Sequence, residues 1–263
     1  MIVIAHIVPT AYLEMLPQLK TSRFHMILAH MVLQDPHYRA FYRNATDCYK
    51  LLDNSAFELG EALDDNALCR AILEVQPDEF VLPDSMFNTN KTKTRSENFI
   101  QRLGEAANIR LMGVPHGATL NEWIHSYGFF AQHPRVYSIG IGAAYCTPSS
   151  LGMSCGHYNG GRRSLLENLV HSRILNDRKP HDLLGFSHSG HFEIKALTQY
   201  PWLRSADTSS AYLLASMGIH IQIGKPYQKP AKKDFFFDPF AEQTSILLQD
   251  NMEVFDDAAR SHS

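Results

Sequence analysis

Nowhere does this chain carry an apolar run long enough to cross a bilayer. Its opening, "MIVIAHIVPT", is apolar but too short, and it lacks the basic flank and small-residue cleavage site of a signal peptide. Its four cysteines, Cys48, Cys69, Cys146 and Cys155, form no C-x-x-C pair, which argues against a dithiol redox motif or closely spaced zinc ligands. Basic charge is not in excess: 24 Lys and Arg face 27 Asp and Glu, a net charge of −3. That removes the global positive field by which many nucleic-acid binders announce themselves, although local patches remain possible. No G-x-G-x-x-G follows a strand-like run and no Walker loop occurs, so no nucleotide cofactor is suggested. Internal repeats, low-complexity tracts and an obvious linker are also missing. The expectation is a cytoplasmic, non-membrane protein with free thiols.

What is present is the pattern of a soluble enzyme, with 44% hydrophobic and 19% charged residues. Strand-like runs at 24–30, 48–53, 79–84, 109–115, 135–142, 181–187, 203–207 and 218–224 alternate with helix-like stretches. The helices are expected at 64–76, 94–108, 161–175 and 209–217. Eight strands alternating with helices in about 250 residues predict an α/β fold, a closed (β/α)8 TIM barrel. A doubly wound open sheet is the alternative. The whole chain, 1–263, reads as one domain, with the barrel core at about 24–224 and a C-terminal extension at 225–263. The stretch 145–161, "YCTPSSLGMSCGHYNGG", has the composition of a long functional loop or lid.

Three apolar runs end on a carboxylate: "YKLLDNSAFELG" at Asp53, "EFVLPD" at Asp84 and "WLRSADTSSAY" at Asp207. In a (β/α)8 barrel, residues just past the strand C-termini line the active-site mouth. Asp53, Asp84, His116, Gly140, Gly142, Gly185 and Asp207 are therefore expected on one face. Asp is also a favoured helix N-cap, which accounts for any one of these acids more readily than for all three.

These segments, in this order, resemble the tRNA-guanine transglycosylase superfamily, and more closely its short phage-type relatives that insert 7-deazaguanine bases into DNA. "LLDNSAFE" is similar to the family's D-S-G-G-F/Y-Q segment, "FVLPDSMFN" to the strand ending F-D-E, and "LMGVPHG" to the strand ending V-Q-G-G. "YSIGIG" resembles Y-A-I-G-G-L, "KPHDLLGFSHS" resembles K-P-x-Y-L-M-G-V-G, and "SADTSSA" stands where the family has F-D-C-V-x-P-T-R. The resemblance implies that Asp207 is a nucleophile forming a covalent glycosyl intermediate and that Asp53 manages protons. It implies that Asp84, Asn54, Ser55, His116, Gly140, Ile141, Gly142 and Gly185 bind the base. No cysteine follows Cys155, so the zinc subdomain of the tRNA enzymes is absent and no structural zinc or other cofactor is expected. The implied reaction is exchange of guanine for a free 7-deazaguanine such as preQ0, a pentosyl transfer. The implied polymer is DNA, with tRNA as the alternative.

Phosphate contacts would then come from Lys91, Lys93, Arg95, Arg162, Arg163, Lys225 and Lys229, with Lys232 and Lys233 nearby. Such runs are also ordinary solvated surface. Fourteen histidines support a rival, a metal-dependent barrel hydrolase using His188 and His191 with the three acids. A non-catalytic nucleic-acid-binding module is the other rival.

Overall fold

Eight short strands, each buried on both faces, pair in parallel and close on themselves in the order β1-β2-β3-β4-β5-β6-β7-β8. They are β1 (Val3–His6), β2 (Phe24–Leu28), β3 (Tyr49–Asp53), β4 (Glu79–Val81), β5 (Arg110–Gly113), β6 (Ser138–Gly142), β7 (His181–Leu184) and β8 (Leu203–Thr208). The computed structural model describes residues 1–19, 23–104, 108–143, 160–186, 189–230, 236 and 244–260. The fold is the expected TIM barrel. Among the described residues no helix is long and apolar enough to cross a membrane.

Closure uses a strand that the sequence pattern had set aside. "VIAH" of β1 pairs with β8 at four register positions, Val3 with Ser205 through His6 with Thr208. The run at 218–224, expected as the eighth strand, lies beyond the closed barrel in irregular structure. Gly218 and Gly224 there take φ of 71° and 76°, a left-handed backbone that no strand accommodates.

Outside the barrel lie α1 (Ala29–Gln34), α2 (Pro36–Asn44), α3 (Ala56–Leu59), α4 (Asp65–Val75) and α5 (Thr89–Leu103). They are followed by α6 (Leu120–Gln132), α7 (Gly160–His171), α8 (Gly190–Leu197), α9 (Ser210–Ser216) and α10 (Thr244–Arg260). Their starts are written in the sequence. Asp35, Asp64, Asn88 and Thr119 each accept a hydrogen bond from a main-chain N–H in the first turn of the helix they cap. Helical spacing predicts Leu68, Ile72 and Val75 on the inner face of α4; Leu68 and Val75 are buried there with Ala67 and Ala71, and Ile72 is half-buried.

The N-terminal end of the barrel interior is closed by charge. Arg204 donates Nη1 and Nη2 to Glu79 at 2.8 and 3.0 Å, and Nε and Nη2 to Asp182 at 2.9 and 2.7 Å. Tyr49 Oη donates to Glu79 at 2.6 Å, and Ser138 and Ser205 donate to Glu79 and Asp182. Both carboxylates are fully buried, and burial lifts Asp182 to about 6 against the pull of Arg204. Arg204→Met would leave two acids with no counter-charge. It is expected to lower unfolding free energy by about 3–5 kcal/mol, measured by urea denaturation.

His181, also fully buried, accepts from Tyr127 Oη through Nε2 at 2.9 Å and donates Nδ1 to the Lys179 carbonyl at 2.8 Å. Burial holds it down at about 4. A histidine neutral in the fold stabilises fully above its unfolded value of about 6.5 and loses that contribution as pH falls toward 4. The stability gap between wild type and His181→Phe should therefore shrink by about 2 kcal/mol from pH 7 to pH 5. Denaturant melts of both proteins at the two pH values check this.

Candidate active site

The C-terminal mouth of the barrel gathers acids from distant parts of the chain. Asp53 ends β3, Asp207 lies near the end of β8, and Asp84 and His116 follow β4 and β5. The three expected acids do converge, and a fourth, Glu58 on α3, joins them. Burial first, then the charge of Glu58, with further repulsion from Asp84 and Asp207, pushes Asp53 well above the ordinary carboxylate range. Burial also raises Glu58, against the positive charge of Lys229. Its Oε2 atom is buried and makes no hydrogen bond among the described residues.

Asp207 is anchored by the main-chain N–H of Gly185, which donates to Oδ1 at 2.8 Å. Gly185 takes φ of 68°, a conformation that turns this N–H back toward β8 at little cost for glycine. Burial lifts Asp207 to about 7, opposed by that N–H and by the charges of Lys229 and Arg162. Lys229 belongs to the segment after the barrel and faces Asp207 and Glu58, while burial lowers its own pKa. The segment is fixed by Tyr227, whose N–H donates to Ser189 Oγ at 3.0 Å and whose hydroxyl accepts from the Gly190 N–H at 3.2 Å.

Asp84 is spoken for. His116 Nε2 lies 2.5 Å from Asp84 Oδ2 and Asn54 Nδ2 donates to Oδ1 at 3.2 Å. Asn54 also donates to the Leu82 carbonyl at 2.7 Å and accepts from the Ala56 N–H at 2.8 Å. His116 and Ser55 have no exposed surface, and Asn54 almost none. The expectation that His116, Asn54 and Ser55 touch a base is thus corrected: they brace the wall of the mouth from behind.

The β6 glycines serve the barrel as well. A Cβ on Gly140 would stand 2.5 Å from Leu184 Cδ1 and 3.0 Å from Met112 Sδ, so the missing side chain makes room for the interior rather than for a ring. The Ile141 carbonyl accepts from Arg162 at 2.9 Å, and Gly142 ends the same strand.

The basic residues do not form a phosphate track. Arg162 is buried, pairs with Glu193 through Nε and Nη2 at 2.6 and 3.1 Å, and also donates to the carbonyls of Leu184 and Gly185. Arg95 donates to the carbonyls of Asp84, Ala62 and Leu63. Arg163 pairs with Glu167 one turn along α7, and Lys93 sits 5.1 Å over the Phe129 ring. Only Lys91 and Lys225 are simply exposed. Lys232, Lys233, His188 and most of 145–161 lie outside the described residues. His191, the other histidine of the expected metal set, is stacked on Tyr227 at 5.6 Å. Among the described residues no three His, Cys, Asp or Glu side chains converge as metal ligands.

No protein-family model matches the chain, and no curated protein does. Similar solved structures include the protein CitE from Mycobacterium tuberculosis in complex with magnesium and acetoacetate. The identity is 10%, the match covers 99% of this chain and 91% of that one, and the TM-score is 0.52. They also include the citrate lyase beta subunit of M. tuberculosis with oxaloacetate and magnesium, at 11% identity, 98% and 96% coverage and a TM-score of 0.50. At such identity the likeness is one of fold.

These findings overturn the transglycosylase resemblance, and with it guanine exchange, pentosyl transfer, and DNA or tRNA as partner. The barrels that match are citrate-lyase-like and hold small acids, and the arginines meant for phosphates are used internally. The expectation of no cofactor came with that resemblance and falls with it, since both similar structures contain magnesium. The motif matches misled because short strand-end patterns such as apolar–Asp–small recur wherever a barrel strand meets its helix.

His116→Leu would leave Asp84 buried with only Asn54 for a partner, at an expected cost of about 3 kcal/mol. In an Asp84→Asn background most of that loss should vanish. A double-mutant cycle by denaturant unfolding reads the coupling directly.

Proposed function

We propose that this chain is a divalent-cation-dependent enzyme acting on a small, oxygen-rich organic acid. Asp53 and Glu58 would be the protein ligands of the cation and Asp207 the proton-transfer group. The observation that carries the reading is the acid pair. Burial holds both carboxyls up, and at Asp53 the charges of Glu58, Asp84 and Asp207 add to it, while Glu58 Oε2 makes no hydrogen bond among the described residues. A buried pair of like charges is relieved by protons or by a cation. Mg2+ is commonly held by one or two carboxylates, with its other positions left to water and substrate oxygens. When bound, such an ion supplies Lewis-acid polarisation of a carbonyl or carboxylate oxygen.

The chain's own residues supply the rest. Asp207, at about 7, exchanges a proton readily near neutral pH. The Gly185 N–H fixes Oδ1, which leaves Oδ2 to hold and pass the proton. Lys229 brings positive charge to Asp207 and Glu58 and gives an anionic substrate a favourable partner. Asp84, braced by His116 and Asn54, forms a rigid polar wall. Hydrolytic and carbon–carbon lyase reactions both need this combination of a polarised oxygen and one mobile proton. The magnesium and keto acids of the two similar structures belong to the same class of ligand.

The test is titration of the folded full chain with Mn2+ by calorimetry and electron paramagnetic resonance. One ion per chain is expected, with Asp53→Asn and Glu58→Gln each weakening it at least about tenfold. No stoichiometric binding by wild type, or binding indifferent to both substitutions, would overturn the proposal.

A further inference from the structure

Ser55 sits at the turn between β3 and α3 with φ of 64° and ψ of 21°. It is one of five non-glycine residues with positive φ among those described, and the one that adjoins the acid pair. Such a backbone is strained for any side chain and natural for glycine. Strain of this kind persists where the surroundings over-determine it, and it concentrates at functional sites.

The surroundings here are specific. Ser55 Oγ lies 3.1 Å from the main-chain N of His30 and 2.9 Å from His30 Nδ1. A hydroxyl has one proton and two lone pairs. Oγ therefore accepts from the His30 N–H and shares a second hydrogen bond with Nδ1, donating or accepting according to the imidazole tautomer. His30 stands at the junction of β2 and α1, so the hydroxyl ties the β3 turn to the neighbouring strand end. The N–H of the same residue donates to Asp53 Oδ2 at 2.7 Å. The hydroxyl and N–H of one residue thus make three hydrogen bonds, two backward to His30 and one to the acid.

The geometry points to Ser55, held by His30, as the positioning residue that aims the Asp53 carboxylate. This rests on Asp53 being a cation ligand, as proposed above. Ser55 is fully buried and touches no substrate. Its hydroxyl fixes where its own N–H points, and that N–H fixes one oxygen of Asp53, leaving the other to the cation. Outer-shell partners that orient a ligand in this way commonly change metal affinity without changing the fold.

Conformation and hydroxyl can be separated experimentally. Ser55→Gly relieves the strained backbone but deletes the anchor, whereas Ser55→Ala keeps the strain and deletes the anchor. Both are compared with the wild-type full chain in melting temperature and in Mn2+ affinity by calorimetry. The expectation is a split: Ser55→Gly melts within a few degrees of wild type, yet both variants bind Mn2+ about tenfold or more weakly. Mn2+ affinity in Ser55→Gly equal to wild type would mean that the residue serves backbone shape alone, and the inference fails. Should Ser55→Gly not fold, His30→Phe removes the Nδ1 partner with the turn sequence intact, and the same two outcomes apply. Wild type with no Mn2+ binding would sink the cation reading itself, and this inference with it, a result distinct from equal affinities.

Discussion

Pairing of the first strand with the last is the constraint from which the rest of this molecule follows. Four register steps between β1 and β8 remove both edges of a parallel sheet, where unpaired main-chain groups would otherwise seek partners. Closure also forces the strands to tilt and stagger, so that residues from separate strands meet at two ends of one narrow interior. At the strand starts Tyr49, Glu79, Ser138, Asp182, Arg204 and Ser205 are driven together. At the strand ends Asp53, Asp84, His116, Gly185 and Asp207 are.

The two ends handle buried charge in opposite ways. Below, a single guanidinium answers two carboxylates in a planar fork geometry that lysine could not reproduce, and phenol and hydroxyl donors complete the set. Above, Asp84 is answered by His116 and Asn54, and Asp207 by one N–H and a lysine. Asp53 receives one N–H from Ser55 and Glu58 shares the charge of Lys229 with Asp207. Glu58 Oε2 is buried without a hydrogen bond among the described residues, whereas every carboxylate oxygen of Glu79 and Asp182 at the other end is bonded. Departures from local consistency of this sort collect where a protein acts rather than where it merely folds.

Much of this was legible beforehand. Short apolar runs located seven of the eight strands, helix-like stretches located α4, α5, α7 and α9, and three acids after apolar runs predicted the mouth. Strand β1 was missed because "IVIAHIV" carries no turn or cap to mark it, and only the need to meet β8 identifies it. Glu58 was overlooked although it stands five residues after Asp53 in "YKLLDNSAFELG", since its role depends on how the short α3 helix turns it inward. The internal uses of Arg95 and Arg162 were invisible for a different reason. An arginine that caps carbonyls from distant strand ends looks the same in sequence as one that meets solvent or phosphate. The family resemblance failed at the same point, taking geometry that any such barrel produces as evidence of one chemistry.

The order of the mouth residues along the chain has a consequence for how the molecule comes into being. Asp53 and Glu58 are synthesised early, but Asp207 sits on the closing strand and Lys229 on the segment after it. During synthesis from the N-terminus, the first acids wait through some 150 residues (from Asp53 to Asp207) before their counterparts emerge and the sheet can close. A nascent chain therefore has no assembled mouth to offer, and a ligand that bridges these groups can recognise only a finished molecule. Whatever binds here reports on completion of the fold as well as on the identity of the site.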